Sequence, residues 1–440
     1  MPAPKAKTAK PASGGRKKAK KTGLAWDVES FPGLADVLPK ESNLWKEVRH
    51  AFFATTEIHA FYHVETPLLE RKSTFDCYEA EFGRKVDDVA FVSAKGSGIV
   101  RSETMIPLLR AYAEHHLGHF SLPLKVSTFS EVVKKRSPHE GENRHEIGFH
   151  VLGDGESFYD IQVLSAAMDF LKLLKIKDVS VRVNANGCRN CRMAYRDKLK
   201  KYVVGHRKAF KARDYKAVER DPESLFQLAG EKLAEIVDDA PTILDYLCQN
   251  CNNHFKSLLE LLEDNEMPYV PDPRLLFPVE RWNRAVFVVT APGAKAPLFR
   301  GGRYDHLSES VAGRQIPAVG AVGSAEELIR YVREQGIYLR SRERPKVFFI
   351  VMGDKAKRAS VRLMNMLRGS GIVVEEALGK QSFKAQLKMA EKSRAALVLI
   401  VGQKEAFEDT IIVRNIASGA QETITTVNLA EEVKHRLKMS

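Results

Sequence analysis

Four of the five cysteines in this 440-residue chain fall into two C-x-x-C pairs, Cys188 and Cys191 in "GCRNCR" and Cys248 and Cys251 in "LCQNCNNHF". Each pair offers two thiolates from one tight turn. Two such pairs supply the tetrahedral sulfur set that zinc takes in structural sites. Zinc is borderline-soft and needs no redox partner, so thiolates suit it. The adjacent Arg189 and Arg192 favour ionised sulfur. Four protein ligands leave no open position for water, so the expected Zn2+ is structural. The same residues also read as two unconnected pairs of thiols. Cys77 stands alone and reads as a packing residue.

A second group of candidates lies in "GKQSFKAQLKMAEK". Lys384 and Lys388 share one face of a predicted helix, with Lys380 and Gln381 just ahead of its start. A lysine stripe beside a helix N-terminus can grip phosphates of RNA, although the spacing also fits a solvated face. The opening "MPAPKAKTAKPASGGRKKAKK" carries eight Lys and Arg and no acid. Residues 1–23 are therefore predicted to be a disordered basic tail, either RNA-seeking or merely solubilising. The formal charge is +13 and the hydrophobic fraction 44%. No window is apolar enough to span a membrane and the N-terminus lacks the apolar core of a signal peptide, so the expected compartment is the cytoplasm.

The elements that must position these residues follow from periodicity. Leu44, Val48, Phe52 and Phe53 predict a helix over Pro39–Ala60. "FYHVETPLLE" reads as a strand ending at Pro67, "SETMIPLLRAYAEHHL" as a helix and "LKVSTFSEVV" as a strand. "IGFHVLG" reads as a strand closing a basic, polar loop. "DIQVLSAAMDFLKLL" reads as a helix and "VSVRVNA" and "RAVFVVTA" as strands. Residues 187–266 are helical and charged. After a linker at Arg342–Pro345, "KVFFIVMG", "IVVEEAL" and "ALVLIVG" alternate with helices at 355–368 and 382–392, the pattern of a small α/β domain with a largely parallel sheet.

Several of these motifs, in this order, resemble the histidyl-tRNA synthetase family of class II aminoacyl-tRNA synthetases. They are "FPGLADVLPKESNLWKEVRHAFF", "EVVKKRSPHEGENR", "NGCRNCRMAYRDKLKKY", "ILDYLCQNCNNHF", "FRGGRYDHL", "IPAVGAVGSAEELI" and "GKQSFKAQLKMAEKSRAALVLIVG". The resemblance covers nearly everything after residue 30. It implies an α+β core of antiparallel sheet flanked by helices, over 24–186 and 267–335. A mostly helical insertion at 187–266 and an anticodon-binding-like α/β domain at 345–440 complete the layout. It also implies a homodimer built on the first motif, and tRNA or another structured RNA as partner.

Family chemistry joins an amino acid to ATP, and the α-phosphate must be gripped by arginines, whose planar fork holds phosphate bidentately. The resemblance marks three places for them. Lys134 stands at the first, Glu327 at the second and Phe277 at the third, with Pro278 in place of the adjoining glycine. Arg136 stands where an acid accepts the ATP base. His150 stands where a glutamate reads the amino-acid imidazole. Glu103, Trp282, Arg303 and Tyr304 are what remains of the substrate pocket. Losing one transition-state donor costs on the order of a hundred- to a thousandfold in rate. The chain is therefore expected to be a non-catalytic member that binds RNA. Two alternatives stay open. One is a divergent but active histidine–tRNA ligase using ATP and Mg2+, with Arg281, Arg284 or Arg303 compensating. The other is a regulatory subunit of ATP phosphoribosyltransferase.

Overall fold

The computed structural model describes residues 30–439 except 78–84, 89, 94–95, 121–122, 229–230, 279–280, 340–345, 378, 380–381 and 394. The basic tail, the Arg342–Pro345 linker, Lys380 and Gln381 lie outside the described residues. Two compact units divide between Leu339 and Arg340.

The first unit is built on an eight-stranded mixed sheet. Its strands are β1 (Tyr62–His63), β4 (Leu124–Ser137), β5 (Glu140–Leu152), β6 (Ser180–Gly187), β7 (Tyr269–Pro271), β8 (Asn283–Thr290), β9 (Phe299–Arg303) and β10 (Ala318–Ser324). A separate short hairpin pairs β2 (Leu69–Arg71) with β3 (Gly98–Val100). The order in the large sheet is β1-β4-β5-β10-β9-β8-β6-β7. It is antiparallel except at its rims, where β1 runs parallel to β4 and β7 parallel to β6.

One face of this sheet is covered by the helices Pro39–Ile58, Phe158–Leu173, Gln249–Asp264 and Ala325–Glu334. Phe52, Phe149, Phe170 and Phe299 interlock beneath them with ring centroids 5.6–6.4 Å apart. Each fully buried phenylalanine contributes roughly 1.5–3 kcal/mol of hydrophobic stabilisation. The opposite face carries a smaller apolar cluster around Met105, Leu108, Trp282 and Tyr304, and beside it a cleft.

Two sequence expectations change. The basic, polar stretch before "IGFHVLG" is strand rather than loop. β4 and β5 pair continuously from Leu124↔Leu152 to Ser137↔Glu140, with a bulge between Lys135 and Ser137 and only Pro138 and His139 outside the strands. Its alternating positions carry charges because one face lines the cleft, so the apolar alternation that marks a half-buried strand is absent. The stretch "FYHVETPLLE" contributes only Tyr62–His63 and Leu69–Arg71 as strand.

Residues 187–266 hold the helices Arg189–Gly205, Ala212–Arg220, Glu231–Asp238 and Gln249–Asp264. Tyr195, Leu199, Val218, Leu225 and Ile243 form their own apolar cluster. The second unit has a five-stranded sheet, β11 (Lys346–Val351), β12 (Val373–Glu376), β13 (Leu397–Val401), β14 (Thr410–Asn415) and β15 (Gln421–Thr425), in the order β12-β11-β13-β14-β15. β12, β11 and β13 are parallel, and β14 and β15 are antiparallel. The sheet is thus mixed, because a short turn rather than a crossover joins the last two strands. No described helix is long and apolar enough to cross a membrane.

Candidate functional site

The cleft has a volume of about 510 Å3, within the range of small-ligand sites. β4 and β5 supply Lys134, Arg144 and Glu146. β9 and β10 supply Arg300, Val322 and Ser324. The helix Ala325–Glu334 supplies Glu327. The turn before β8 supplies Phe277, Pro278, Arg281 and Trp282. Lys134, Glu327 and Phe277, the three positions that the resemblance marks for arginine, therefore meet in one cavity.

Lys134, Arg144 and Arg281 are each held by a carboxylate. Lys134 Nζ lies 3.6 Å from Glu146 Oε1. Arg281 pairs with Glu103. Arg144 pairs with Glu142, and its Nη1 lies 3.9 Å from Glu327 Oε1. Glu327 is also held by Arg330, one helical turn on. Arg300 is exposed and makes no ion pair among the described residues.

The carboxylates serve helix starts as well. Glu103 Oε1 accepts from Ile106 N at 2.7 Å, and Glu146 Oε2 accepts from Thr104 N at 3.0 Å, both at the start of the helix Met105–Glu114. Burial raises Glu103 above the usual carboxylate range, and Arg281 opposes the shift.

Of the possible compensating arginines, Arg281 lines the cleft and the other two do not. Arg303 is fully buried, donating from Nη1 to Asp160 Oδ2 at 2.8 Å and to Glu156 O at 3.1 Å. Arg284 lies 3.7 Å from Asp305 and donates to Gly155 O. Both are engaged in holding the 154–160 segment and Asp305. Arg144 and Arg300 are cleft residues that sequence reasoning missed. The signal for Arg144 is the period-two run Glu142, Arg144, Glu146, Gly148, His150, legible only once the segment is read as strand. Arg136 pairs with Glu142 and is not among the cleft residues.

Deeper in the sheet, Trp282 meets Tyr304 edge-on at 6.0 Å, and Tyr304 Oη lies 3.0 Å from His150 Nδ1. The His150 imidazole fills a glycine cradle. A Cβ at Gly148 would fall 2.3 Å from its Nε2, and one at Gly320 would fall 2.3 Å from its Nδ1. Nε2 has no hydrogen-bond partner among the described residues. Burial lowers the imidazole to about 3, so it is neutral.

The four paired cysteines do come together. Their Sγ atoms all lie within 4.8 Å of one another, with Cys188 and Cys191 sulfurs 3.5 Å apart. Tetrahedral coordination with Zn–S bonds of about 2.3 Å requires sulfurs about 3.8 Å apart, so the donor set fits a thiophilic metal. Cys188 and Cys248 are the N-cap residues of the helices Arg189–Gly205 and Gln249–Asp264. A backbone N–H from Cys251 helps lower the Cys248 thiol to about 7, whereas burial pushes Cys191 and Cys251 up. The arginines beside Cys188 and Cys191 point elsewhere. Arg189 pairs with Glu309 at 3.5 Å, and Arg192 with Glu223. Cys77 is buried and packs in the Met105 cluster.

A family model described as histidyl-tRNA synthetase matches residues 33–328, and one described as anticodon binding domain matches residues 346–436. The chain belongs to the histidyl-tRNA synthetase family. It is 30% identical over 419 residues to a histidine–tRNA ligase of Halothermothrix orenii, covering 93% of this chain and 99% of the relative. It is also 30% identical over 419 residues to one of Dehalococcoides mccartyi, covering 93% and 100%. Apo histidyl-tRNA synthetase of S. aureus has the same fold, with a TM-score of 0.75 at 24% identity over 92% of this chain and 99% of that one. A Bacillus halodurans C structure described as an ATP phosphoribosyltransferase regulatory subunit/histidyl-tRNA synthetase shares the fold at a TM-score of 0.62 and 18% identity, covering 86% and 99%. This synthetase-family chain thus has a class II core and an anticodon-binding unit. In the latter, Lys384 and Lys388 are exposed on the helix Phe383–Lys392.

The buried His150 generates a pH prediction. An unfolded imidazole takes up its proton near pH 6.5, and the native one only near 3. Between these values the unfolded state binds more protons, so stability falls as pH is lowered from about 6.5 towards 3. From pH 7 to 5 this group costs about 2 kcal/mol. Urea unfolding at both pH values should show that loss in the native chain and its absence in His150→Gln.

Proposed function

We propose that the chain is a tRNA-binding, homodimeric member of its family that does not carry out aminoacylation. The observation carrying this reading is the pairing of Lys134, Arg144 and Arg281 with carboxylates in and around the cleft, with Glu327 among them. A triphosphate would have to displace those acids and then lie beside them, where their charge opposes the negative charge that builds up in the reaction. The cradle filled by His150 supports the same reading. The resemblance puts the imidazole-reading glutamate at that position, and here the chain's own neutral imidazole fills it. Purified protein should therefore show no histidine-dependent ATP–pyrophosphate exchange. Exchange at rates within tenfold of a working ligase would overturn the reading.

One observation favours the second reading, an active ligase using ATP and Mg2+. Three guanidinium groups, Arg144, Arg281 and Arg300, do line the cleft. The same assay decides between the two.

RNA binding rests on two basic surfaces. Lys384 and Lys388 form one. The other runs along the insertion, where Lys198, Lys200, Lys201, Arg207, Lys208 and Lys211 are all exposed. Cations on phosphates release counterions, so affinity falls steeply with salt. Replacing both Lys384 and Lys388 with alanine should weaken tRNA binding and reduce the slope of log K against log salt by about two. The anticodon-binding unit speaks for RNA rather than for a role as regulatory subunit of ATP phosphoribosyltransferase.

A dimer is supported by the apolar surface beside the edge strand β1. Ile58, Tyr62 and Phe120 are all exposed there, and Tyr62 and Phe120 stack edge-on at 5.3 Å. Light scattering should give twice the chain mass of 49.4 kDa, and Ile58→Glu with Tyr62→Glu should halve it. The bound metal of the four-cysteine cluster is zinc in this reading, and the compartment is the cytoplasm.

A further inference from the structure

The four-sulfur cluster and the cleft are joined by a short chain of buried polar contacts. Asn186 precedes the first cysteine pair by one glycine, and Arg192 follows it directly. Both are buried. Asn186 Nδ2 donates to Phe277 O at 3.0 Å and to Trp282 O at 2.5 Å, and its Oδ1 accepts from Phe277 N at 3.1 Å. Arg192 Nη1 donates to Asn186 Oδ1 at 2.7 Å and Nη2 to Phe277 O at 3.1 Å. Arg192 Nε donates to Glu223 Oε1 at 2.7 Å. These two residues thus bracket the cysteine turn and hold both ends of the Phe277–Trp282 wall of the cleft.

The turn between them has little freedom. Gly187 has φ +68°, and a Cβ there would sit 2.7 Å from Cys191 Cβ. The Cys248 N–H donates to Cys191 Sγ at 3.1 Å, tying the second pair to the first. Arg192 lies in the first turn of the helix Arg189–Gly205, so its fork goes where the sulfurs put that turn. Four thiolates packed within 4.8 Å of one another require a cation among them. Without it the ionised sulfurs repel and the turn relaxes.

We infer that a tetrathiolate zinc site at Cys188, Cys191, Cys248 and Cys251 fixes the Phe277–Trp282 wall of the cleft, with Arg192 and Asn186 as the positioning residues between them. The inference rests on the zinc reading given above. A metal in the helical insertion then sets the width of a cleft it does not touch, and loss of the metal loosens that wall.

The test uses the full-length protein. Native mass spectrometry and elemental analysis should find one zinc per chain. Hydrogen–deuterium exchange then follows the amides of 277–282, with 40–60 as the control. Chelation should speed exchange at 277–282 by about tenfold or more, leave 40–60 unchanged and reverse on adding zinc. Arg192→Lys should keep the zinc yet speed exchange at 277–282, an effect that a cluster serving only the insertion's own core would not produce. Chains free of zinc as purified, and unable to take it up, would overturn the metal reading. Zinc present, but with 277–282 indifferent both to its removal and to Arg192→Lys, would overturn the coupling and leave the metal reading standing. Should chelation unfold the whole chain, the zinc-loaded Arg192→Lys protein decides alone.

Discussion

A guanidinium group already held by a carboxylate has no free fork to offer a phosphate, and the cleft of this protein is organised around that constraint. Its acids are also structural. Glu103 and Glu146 accept from backbone N–H groups at the start of the helix Met105–Glu114. Glu327 occupies the first turn of the helix Ala325–Glu334, with Ser324 as its N-cap. Helix N-termini are favourable places for negative charge. Where a bound anion could have met them, the chain has placed its own side chains. Lys134, Arg144 and Arg281 then find partners in these acids, and of the cleft's cations Arg300 alone makes no ion pair among the described residues.

The same economy extends deeper into the sheet. A glycine cradle between β5 and β10 could admit a ring from outside, but His150 supplies one from within and Tyr304 fixes it. A fully buried imidazole with one unsatisfied nitrogen is costly. It persists because the surrounding strands leave a cavity of its shape and because it stays uncharged. The apolar face of the sheet, built on Phe52, Phe149, Phe170 and Phe299, holds those strands in register whatever the cleft does.

Buried charge elsewhere does a different job. Arg303 with Asp160 and Asp305, and Arg192 with Glu223 and Asn186, are buried networks in which each guanidinium faces a carboxylate, although Arg303 Nε and Asp160 Oδ1 have no hydrogen-bond partner among the described residues. Such networks contribute little net stability against apolar packing, but breaking one member is expensive. They fix geometry, the first where β9 meets the 154–160 segment and the second where the insertion meets the cleft wall.

Local pattern determined a good deal by itself. The helices over 39–58, 158–173 and 383–392, the three parallel strands β11, β12 and β13 of the second unit and the pairing of cysteines two by two all follow from periodicity and spacing, because those signals are short-range; β14 and β15 were not legible there. The order of motifs likewise sufficed to place the chain in its family, and Lys134, Glu327 and Phe277 do converge on one cleft. Only the folded chain decided which charges face each other. Arg144 and Arg300 belong to strands far apart in sequence, and their direction depends on register, which a single residue of slippage would reverse. Arg303 looked available and is buried, because burial depends on the segment packed over it. Cys191 and Cys248 are 57 residues apart, and no local rule could say that they meet. Composition and spacing specify elements and candidate chemistry. Charge compensation is a property of distances across the fold, which the chain sets only when it closes.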